Sequence, residues 1–397
     1  MKLYDKLVEY SNSDIYPMHM PGHKRNEKIL QMINPYSIDV TEIEGFDNLF
    51  HASGILKESM ERASYLYGTT FSDYLVGGSS AGILSGIAAC TNKGDKVIIA
   101  RNCHKSVYNA VFLNELRPIY VYPHFNKEYN INCGISPENI KTLLIKHQDI
   151  KLIVITSPSY EGVISDVRRI SELAHQYNIP LFVDEAHGAH LGFHSYFPPS
   201  SIKEGADVIV HSLHKTLPSF TQTGLLHVNS PMVDYDKIKR SLSIYQSTSP
   251  SYLFMASIDK CIHLLLERKE EVFSDFSRRL QGFYKKMDQL KNLKVIEGRK
   301  KEEKKEFFDF DPSKIVVSVK DTNMTGTKLY QILLDKYKIQ VEMASRDYII
   351  AMTSICDTDL GFTRLEDALL EIDQYISKKP SQVDSDSNIE DQIHTHM

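Results

Sequence analysis

The eight residues His211-Ser212-Leu213-His214-Lys215-Thr216-Leu217-Pro218 constrain this chain more than any other stretch. They set one lysine among hydroxyl and imidazole groups. They follow directly on Asp207-Val208-Ile209-Val210, a short apolar run that reads as a buried strand. A lysine at the end of a buried strand is partly desolvated, and desolvation favours its uncharged amine. That amine is the form a carbonyl compound needs to make an imine. Ser212 and His214 flank it with donors suited to a phosphate. Taken alone, the same residues describe a surface loop equally well, so the choice rests on the remainder of the chain.

A length of 397 residues suits one large and one small domain, and 42% hydrophobic residues can fill a sizeable core. A net charge of -5 argues against a nucleic-acid partner, because basic patches supply that affinity. The five cysteines (Cys90, Cys103, Cys133, Cys261, Cys356) are scattered, odd in number and never paired as CxxC, which suggests neither a disulfide framework nor a zinc knuckle. The first residues carry no apolar signal core, and no run of about 18 apolar residues follows. The expectation is a cytoplasmic protein with no membrane partner.

Residues 1–70 read as an amino-terminal arm. Met18-His19-Met20-Pro21-Gly22-His23-Lys24 is loop-like, and a helix is expected from Ile55 to Tyr67, stopping at Gly68. Residues 71–255 read as the large domain. Strands are expected at Lys96–Ala100, Pro118–Tyr122, Lys151–Thr156, Pro180–Asp184, Asp207–His211 and Gly224–Val228. Helices are expected at Ser106–Leu116, Ser136–His147 and Asp166–Tyr177. Such βαβ alternation implies an α/β fold with a mostly parallel sheet and helices on both faces. Ligands then sit at the carboxyl ends of the strands, which gathers Asn102–His104, Ser157–Tyr160, Asp184–His187 and Ser212–Lys215 at one edge. A helical stretch from about Pro250 to Leu293 supplies a linking helix over 256–293. Residues 294–377 read as a small α+β domain, with strands near Val295, Ile315–Val319, Ile339–Met343 and Tyr348–Met352 and helices at Gly326–Tyr337 and Gly361–Ser377. The charged run Arg299–Glu306 reads as a solvated loop, and 378–397 as a disordered tail.

Four motifs carry candidate chemistry. Gly77-Gly78-Ser79-Ser80-Ala81 opens a helix with small residues, which leaves bare N–H groups for an anion; it is equally an ordinary helix start, and it is not a P-loop. Asn102-Cys103-His104 ends a strand, and His104 is either a ring-stacking residue or a loop histidine. In Asp184-Glu185-Ala186-His187-Gly188-Ala189-His190, Asp184 suits the pairing of a carboxylate with a protonated pyridine nitrogen. A DEAH-type ATPase reading fails for want of a phosphate loop. A metal site from His187, His190 and His194 is weakened by Gly188 and Gly192, which disfavour a helix-borne pair. Lys215 is the fourth. The order anion turn, strand-end His, strand-end Asp, strand-end Lys is that of a pyridoxal phosphate enzyme of the aspartate aminotransferase fold.

The motifs together resemble the bacterial ornithine/lysine/arginine (Orn/Lys/Arg) decarboxylases of fold type I. The resemblance runs through Pro21-Gly22-His23-Lys24, Asp39-Val40-Thr41-Glu42, Gly78-Ser79-Ser80-Ala81-Gly82, Asn102-Cys103-His104-Lys105-Ser106, Thr156-Ser157-Pro158-Ser159-Tyr160-Glu161-Gly162, Asp184–His190 and Ser212–Pro218. Ala351-Met352-Thr353-Ser354 and Asp357-Thr358 are similar to the family's small domain. The resemblance implies pyridoxal 5'-phosphate held by Lys215 as a Schiff base, Asp184 on its ring nitrogen, His104 stacked on its ring and His187 near its phenolic oxygen. It implies Ser79, Ser80, Ala81, Ser212 and His214 on the phosphate side. The implied reaction is decarboxylation of lysine, ornithine or arginine to a polyamine precursor, in a homodimer or larger homo-oligomer. Family members continue beyond the small-domain helix and the inducible forms carry a receiver-like amino-terminal domain, so a shortened carboxy terminus is expected here. Two other readings stay open: a pyridoxal phosphate-binding assembly or regulatory protein without turnover, and an aminotransferase in which Arg346 or Arg364 clamps the substrate carboxylate.

Overall fold

The computed structural model describes residues 3–298, 303 and 307–377. Its centre is a seven-stranded sheet in the order Phe71–Leu75, Gly224–Val228, Val208–His211, Leu181–Asp184, Ile150–Thr156, Lys96–Ala100, Arg117–Val121. Gly224–Val228 runs antiparallel to both neighbours, and every other pairing is parallel. The strands are short apolar runs because both faces are covered. The period of two divides their side chains between two cores. Ile153, Ile155, Val183, Ile209 and Leu225 join the larger cluster on one face. Leu152, Val154, Phe182, Val208, Val210 and Leu226 join the second on the other. Burial of each such side chain contributes roughly 1.5–3 kcal/mol.

Helices cover both faces, with starts that the residues explain. Ser136 caps Pro137–Lys146 by accepting the Glu138 N–H, and Pro137 sits where its missing N–H costs nothing. Asp166 accepts the Arg169 N–H at the head of Val167–Gln176. The helix Ile55–Tyr67 ends at Gly68 in the left-handed conformation, as expected. The expected ends of most elements are shifted by one to three residues, as with Lys105–Leu113 for the helix after His104. The long helix spans Tyr252–Met287 and is capped by Ser251. Among the described residues no helix is long and apolar enough to cross a membrane.

The small sheet is antiparallel in the order Lys294–Ile296, Lys314–Ser318, Tyr348–Met352, Met343–Ala344, with the helices Gly326–Asp335 and Asp359–Tyr375 beside it. One expectation is corrected here. Ile339–Met343 is not one strand of this sheet: Ile339–Val341 pairs in parallel with Tyr16–Met18, and only Met343–Ala344 joins the four strands. The helix Leu3–Ser11 was not expected from the sequence, and it has no buried residue. Of the charged run Arg299–Glu306, only Glu303 lies within the described residues, and it is buried rather than solvated. The expected tail lies outside them.

The early segment is fastened at Tyr16. Its hydroxyl donates to the Asp357 carboxylate at 3.0 Å and accepts the Thr358 N–H at 3.0 Å. The ring lies over Gly361, where a Cβ would come within 1.9 Å of Tyr16 Cζ. Gly361→Ala is therefore expected to displace the ring and lower unfolding stability by about 1–3 kcal/mol. Urea unfolding of the two proteins measures this, and an unchanged midpoint would show that the Tyr16 contact carries no stability.

Candidate functional site

Parallel strands that all point one way bring their carboxyl ends to one edge. Here that edge carries the turn after Leu75, Asn102–His104 after Ala100, Ser157 after Thr156, Asp184 itself and Ser212–Lys215 after His211. Val210 pairs with Asp184 across adjacent strands, and Lys215, five residues further on, is near enough for the two charges to act on each other.

The helix Gly78–Cys90 begins here. Its cap residue Gly77 has no side chain to satisfy the first turn, so the N–H groups around Ser79, Ser80 and Ala81 keep the free donors of any helix start. The preceding turn is held from outside. Gln246 Oε1 accepts the N–H groups of Val76 and Gly77 at 2.8 and 3.3 Å, and Gln222 donates to the Val76 carbonyl at 2.9 Å. Ser106 Oγ lies 2.9 Å from both Ser80 Oγ and His104 Nδ1. His104 Nδ1 also accepts the Ser106 N–H at 3.2 Å, which leaves its ring proton on Nε2. Burial lowers the pKa of His104, against the pull of Asp184.

Asp184 is buried and accepts the Ala186 N–H at 3.2 Å. Burial raises its pKa, while Lys215, the Ala186 N–H and His104 favour its charge. Lys215 is itself lowered by burial, with Asp184 and Glu342 acting the other way. His214 Nδ1 donates to the Thr223 carbonyl at 2.8 Å, and burial brings its pKa down to about 4, so the ring is neutral.

Lys215 Nζ lies 3.0 Å from His187 Nε2, and His187 Nδ1 lies 2.9 Å from Lys314 Nζ. His187 is held well below its ordinary pKa by burial and by the two lysines. Tyr160 meets its ring edge-on at 5.1 Å between centroids. Lys314 is fully buried at the start of a small-domain strand, and burial lowers its pKa to about 7. The sequence did not single it out: a lysine before the apolar run Ile315–Val319 looks like the solvated end of a strand. Glu342, also missed, accepts the Tyr160 hydroxyl at 2.9 Å and the Met20 N–H at 2.8 Å.

The rest of Asp184–His190 is scaffold. Glu185 accepts hydrogen bonds from Ser200 Oγ, Ser201 N–H, Ser201 Oγ and His211 Nε2 at 2.6–2.8 Å. His211 Nδ1 then accepts from His227 Nε2 at 3.0 Å, and His227 Nδ1 lies 2.8 Å from Ser72 Oγ. His190 contacts Asp311 at 3.1 Å and Ser313 Oγ at 3.3 Å, while His194 Nδ1 accepts the Tyr196 N–H. The three histidines considered as metal ligands thus have three separate sets of partners. Of the two arginines considered as a carboxylate clamp, Arg364 is bonded to the Asp14 carboxylate and carbonyl, and Arg346 is exposed.

Pro21–Lys24 closes over the lysine turn. The Gly22 N–H donates to the His214 carbonyl at 2.7 Å, and Ser354 Oγ donates to the Gly22 carbonyl at 2.5 Å. Lys24 is buried and donates to the carbonyls of His19 and Met352 at 2.8 and 2.7 Å.

Three buried polar atoms at this edge, Asn102 Oδ1, Thr156 Oγ1 and Ser212 Oγ, have no hydrogen-bond partner among the described residues. Buried polar groups are rarely left so, because each costs about 1–3 kcal/mol. Together with the bare helix start, the buried carboxylate and the desolvated amine, they fit an anionic heteroaromatic group such as pyridoxal phosphate.

Comparison with known proteins agrees. The description "Orn/Lys/Arg decarboxylase, major domain" matches residues 2–355. An arginine decarboxylase of Bacillus subtilis is 32% identical over 383 residues, covering 95% of this chain and 78% of that protein. The E. coli constitutive lysine decarboxylase structure superposes with a TM-score of 0.74 at 19% identity, covering 94% of this chain and 60% of that one. An alanine–glyoxylate aminotransferase from Nostoc superposes at 0.68 with 13% identity, covering 91% of this chain and 95% of the other. These structures share the fold of type I pyridoxal phosphate enzymes, as the sequence order of motifs implied. The chain belongs to the Orn/Lys/Arg decarboxylase family, whose enzymes depend on pyridoxal phosphate.

Proposed function

We propose that this protein removes the α-carboxylate of a basic amino acid, lysine, ornithine or arginine, with pyridoxal phosphate bound at Lys215. The observation that carries the reading is the convergence of Lys215 and His104, both within electrostatic reach of Asp184, at the ends of adjacent parallel strands where the helix of Ser79–Ala81 begins. When bound, the cofactor supplies the electron sink that accepts the pair from the breaking Cα–carboxylate bond.

The protein's part is orientation and charge placement. Lys215, a desolvated amine, would hold the cofactor and, when free, could hold or return a proton at the substrate Cα. Asp184 would keep the ring nitrogen protonated, because a nearby carboxylate favours the charged form of its partner. His104 would stack on the ring, and its lowered pKa would spare the pyridinium a neighbouring positive charge. The N–H groups at Ser79, Ser80 and Ala81, with Ser212 and His214, bind the phosphate, as helix starts do for anions. His187 borders the phenolic side. An aminotransferase usually needs an arginine on the α-carboxylate, and Arg364 is already bonded to Asp14. In the same proposal the chain works in the cytoplasm as a homodimer or larger homo-oligomer and supplies a polyamine precursor.

Purified protein supplied with pyridoxal phosphate is expected to release carbon dioxide from one of arginine, ornithine and lysine. Release from none of the three removes the proposal. Lys215→Ala is expected to abolish the visible imine absorbance, and a borohydride-reducible imine surviving in that variant would mean that another lysine anchors the cofactor. Asp184→Asn keeps the shape but loses the charge; turnover is expected to fall about 100-fold or more, since several kcal/mol of electrostatic stabilisation are removed. A change of less than about threefold would disprove the role given to Asp184.

A further inference from the structure

Lys314 has no part in the chemistry above, yet the fold goes to some length to deliver it. Its side chain crosses from the small domain to the large-domain edge and is fully buried. The stem passes over Gly162 in the turn Tyr160-Glu161-Gly162, where a Cβ would lie 2.9 Å from both Lys314 Cβ and Cγ. A side chain at 162 would block the path. Burying an ammonium costs several kcal/mol unless a partner compensates. The charges facing Lys314 are engaged elsewhere. Asp311 is bonded to His190 and to Ser313. Glu342 is bonded to Tyr160 and Met20, and Lys24 to two carbonyls. What Lys314 Nζ does reach is His187 Nδ1, at 2.9 Å, while Lys215 Nζ reaches the other ring nitrogen at 3.0 Å.

A neutral imidazole has one N–H and one lone pair. Its N–H needs an acceptor, and an ammonium has none to offer. With both ring nitrogens in hydrogen-bond contact with amines, at least one of those amines must be uncharged. We propose that Lys314 is a positioning residue for Lys215: across the neutral ring of His187 the two amines share one ammonium proton, so that a proton held on Lys314 leaves Lys215 as a free amine. The proposal rests on the reading that Lys215 anchors the cofactor, and it assigns to the small domain the task of keeping that amine ready. Burial lowers Lys314 to about 7, which places the exchange in the neutral range. The groups facing Lys215 are Asp184, Glu342, His104, His187 and His214, and the two carboxylates favour its charge.

The test is NMR titration of the full-length, cofactor-free protein carrying ε-13C-lysine. Wild type is expected to show a lysine signal with a midpoint near neutrality, and Lys314→Met should remove it. The Lys215 signal, identified by its loss in Lys215→Ala, should move up by about one pH unit in Lys314→Met and down by a similar amount in Lys314→Arg, whose fixed cation occupies Nδ1. A packing role alone moves neither. On a His187→Leu background, Lys314→Met should shift Lys215 by roughly half as much or less, as expected for coupling through the ring. Wild-type lysines that all titrate above about pH 9 would overturn the proposal even if every variant misfolds. So would shifts of one sign in the Met and Arg variants, or a shift undiminished without His187. Because the cofactor is absent, a wrong anchor lysine shows separately, as an imine retained in Lys215→Ala.

Discussion

A carboxylate and an amine, both largely out of water, are near enough to feel each other's charge because two parallel strands end together. Val210 pairs with Asp184, and the chain turns within five residues to present Lys215. Neither group is comfortable alone: burial raises the acid's pKa and lowers the amine's, and each is the other's main opposing influence. The sheet makes this affordable. Strands whose two faces feed two apolar cores have little freedom to slide, since a one-residue slip would exchange the cores. The register that satisfies packing also fixes the polar pair.

Around that pair the structure is closed from three separate parts of the sequence. Gly22 bonds the carbonyl of His214, Ser354 bonds Gly22, and Lys24 reaches Met352, so the early segment ties the lysine turn to the small domain. Phe310 pairs with Val163, and Asp311 meets His190, fixing the loop that precedes Lys314. Tyr16–Met18 adds a strand beside Ile339–Val341, just ahead of Glu342. The four-stranded sheet is therefore more than a cover for the strand ends, because it contributes the buried Lys314 to them.

The seven-stranded sheet and its helices were legible in the sequence for a simple reason. Apolar runs separated by capped helical segments carry their own periods, and the strand-end rule then gathers the motifs without knowledge of side-chain contacts. The Ile55–Tyr67 helix declared itself through Gly68. What could not be read depends on pairings distant in sequence. Ile339–Val341 looks like an ordinary small-domain strand, and its partner Tyr16–Met18 lies more than 300 residues earlier. Leu3–Ser11 has only a short apolar stripe, Leu3, Tyr4, Leu7 and Val8, and it buries none of it, so no core contact marks it as a helix. Gln222 and Gln246 hold the turn before Ser79 only because the helix after Asp234 and the loop before Gly224 return to it. Lys314 was hidden most completely, because a lysine at the edge of an apolar run has the same local pattern whether it meets water or a buried imidazole.

His187 shows why the chemistry of such a site is set by more than its obvious acid and base. A histidine in a loop of small residues invites reading as a metal ligand. It is held between two amines, and both of its ring nitrogens are already engaged, which leaves neither open to a metal ion. Its value is that it transmits a choice: the nitrogen that bears the proton dictates which lysine must accept. An ammonium beside Lys215 would only repel its charge, whereas an imidazole between them converts that repulsion into a single shared proton. Burial strengthens the constraint, since an unpaired N–H or lone pair costs more at low dielectric.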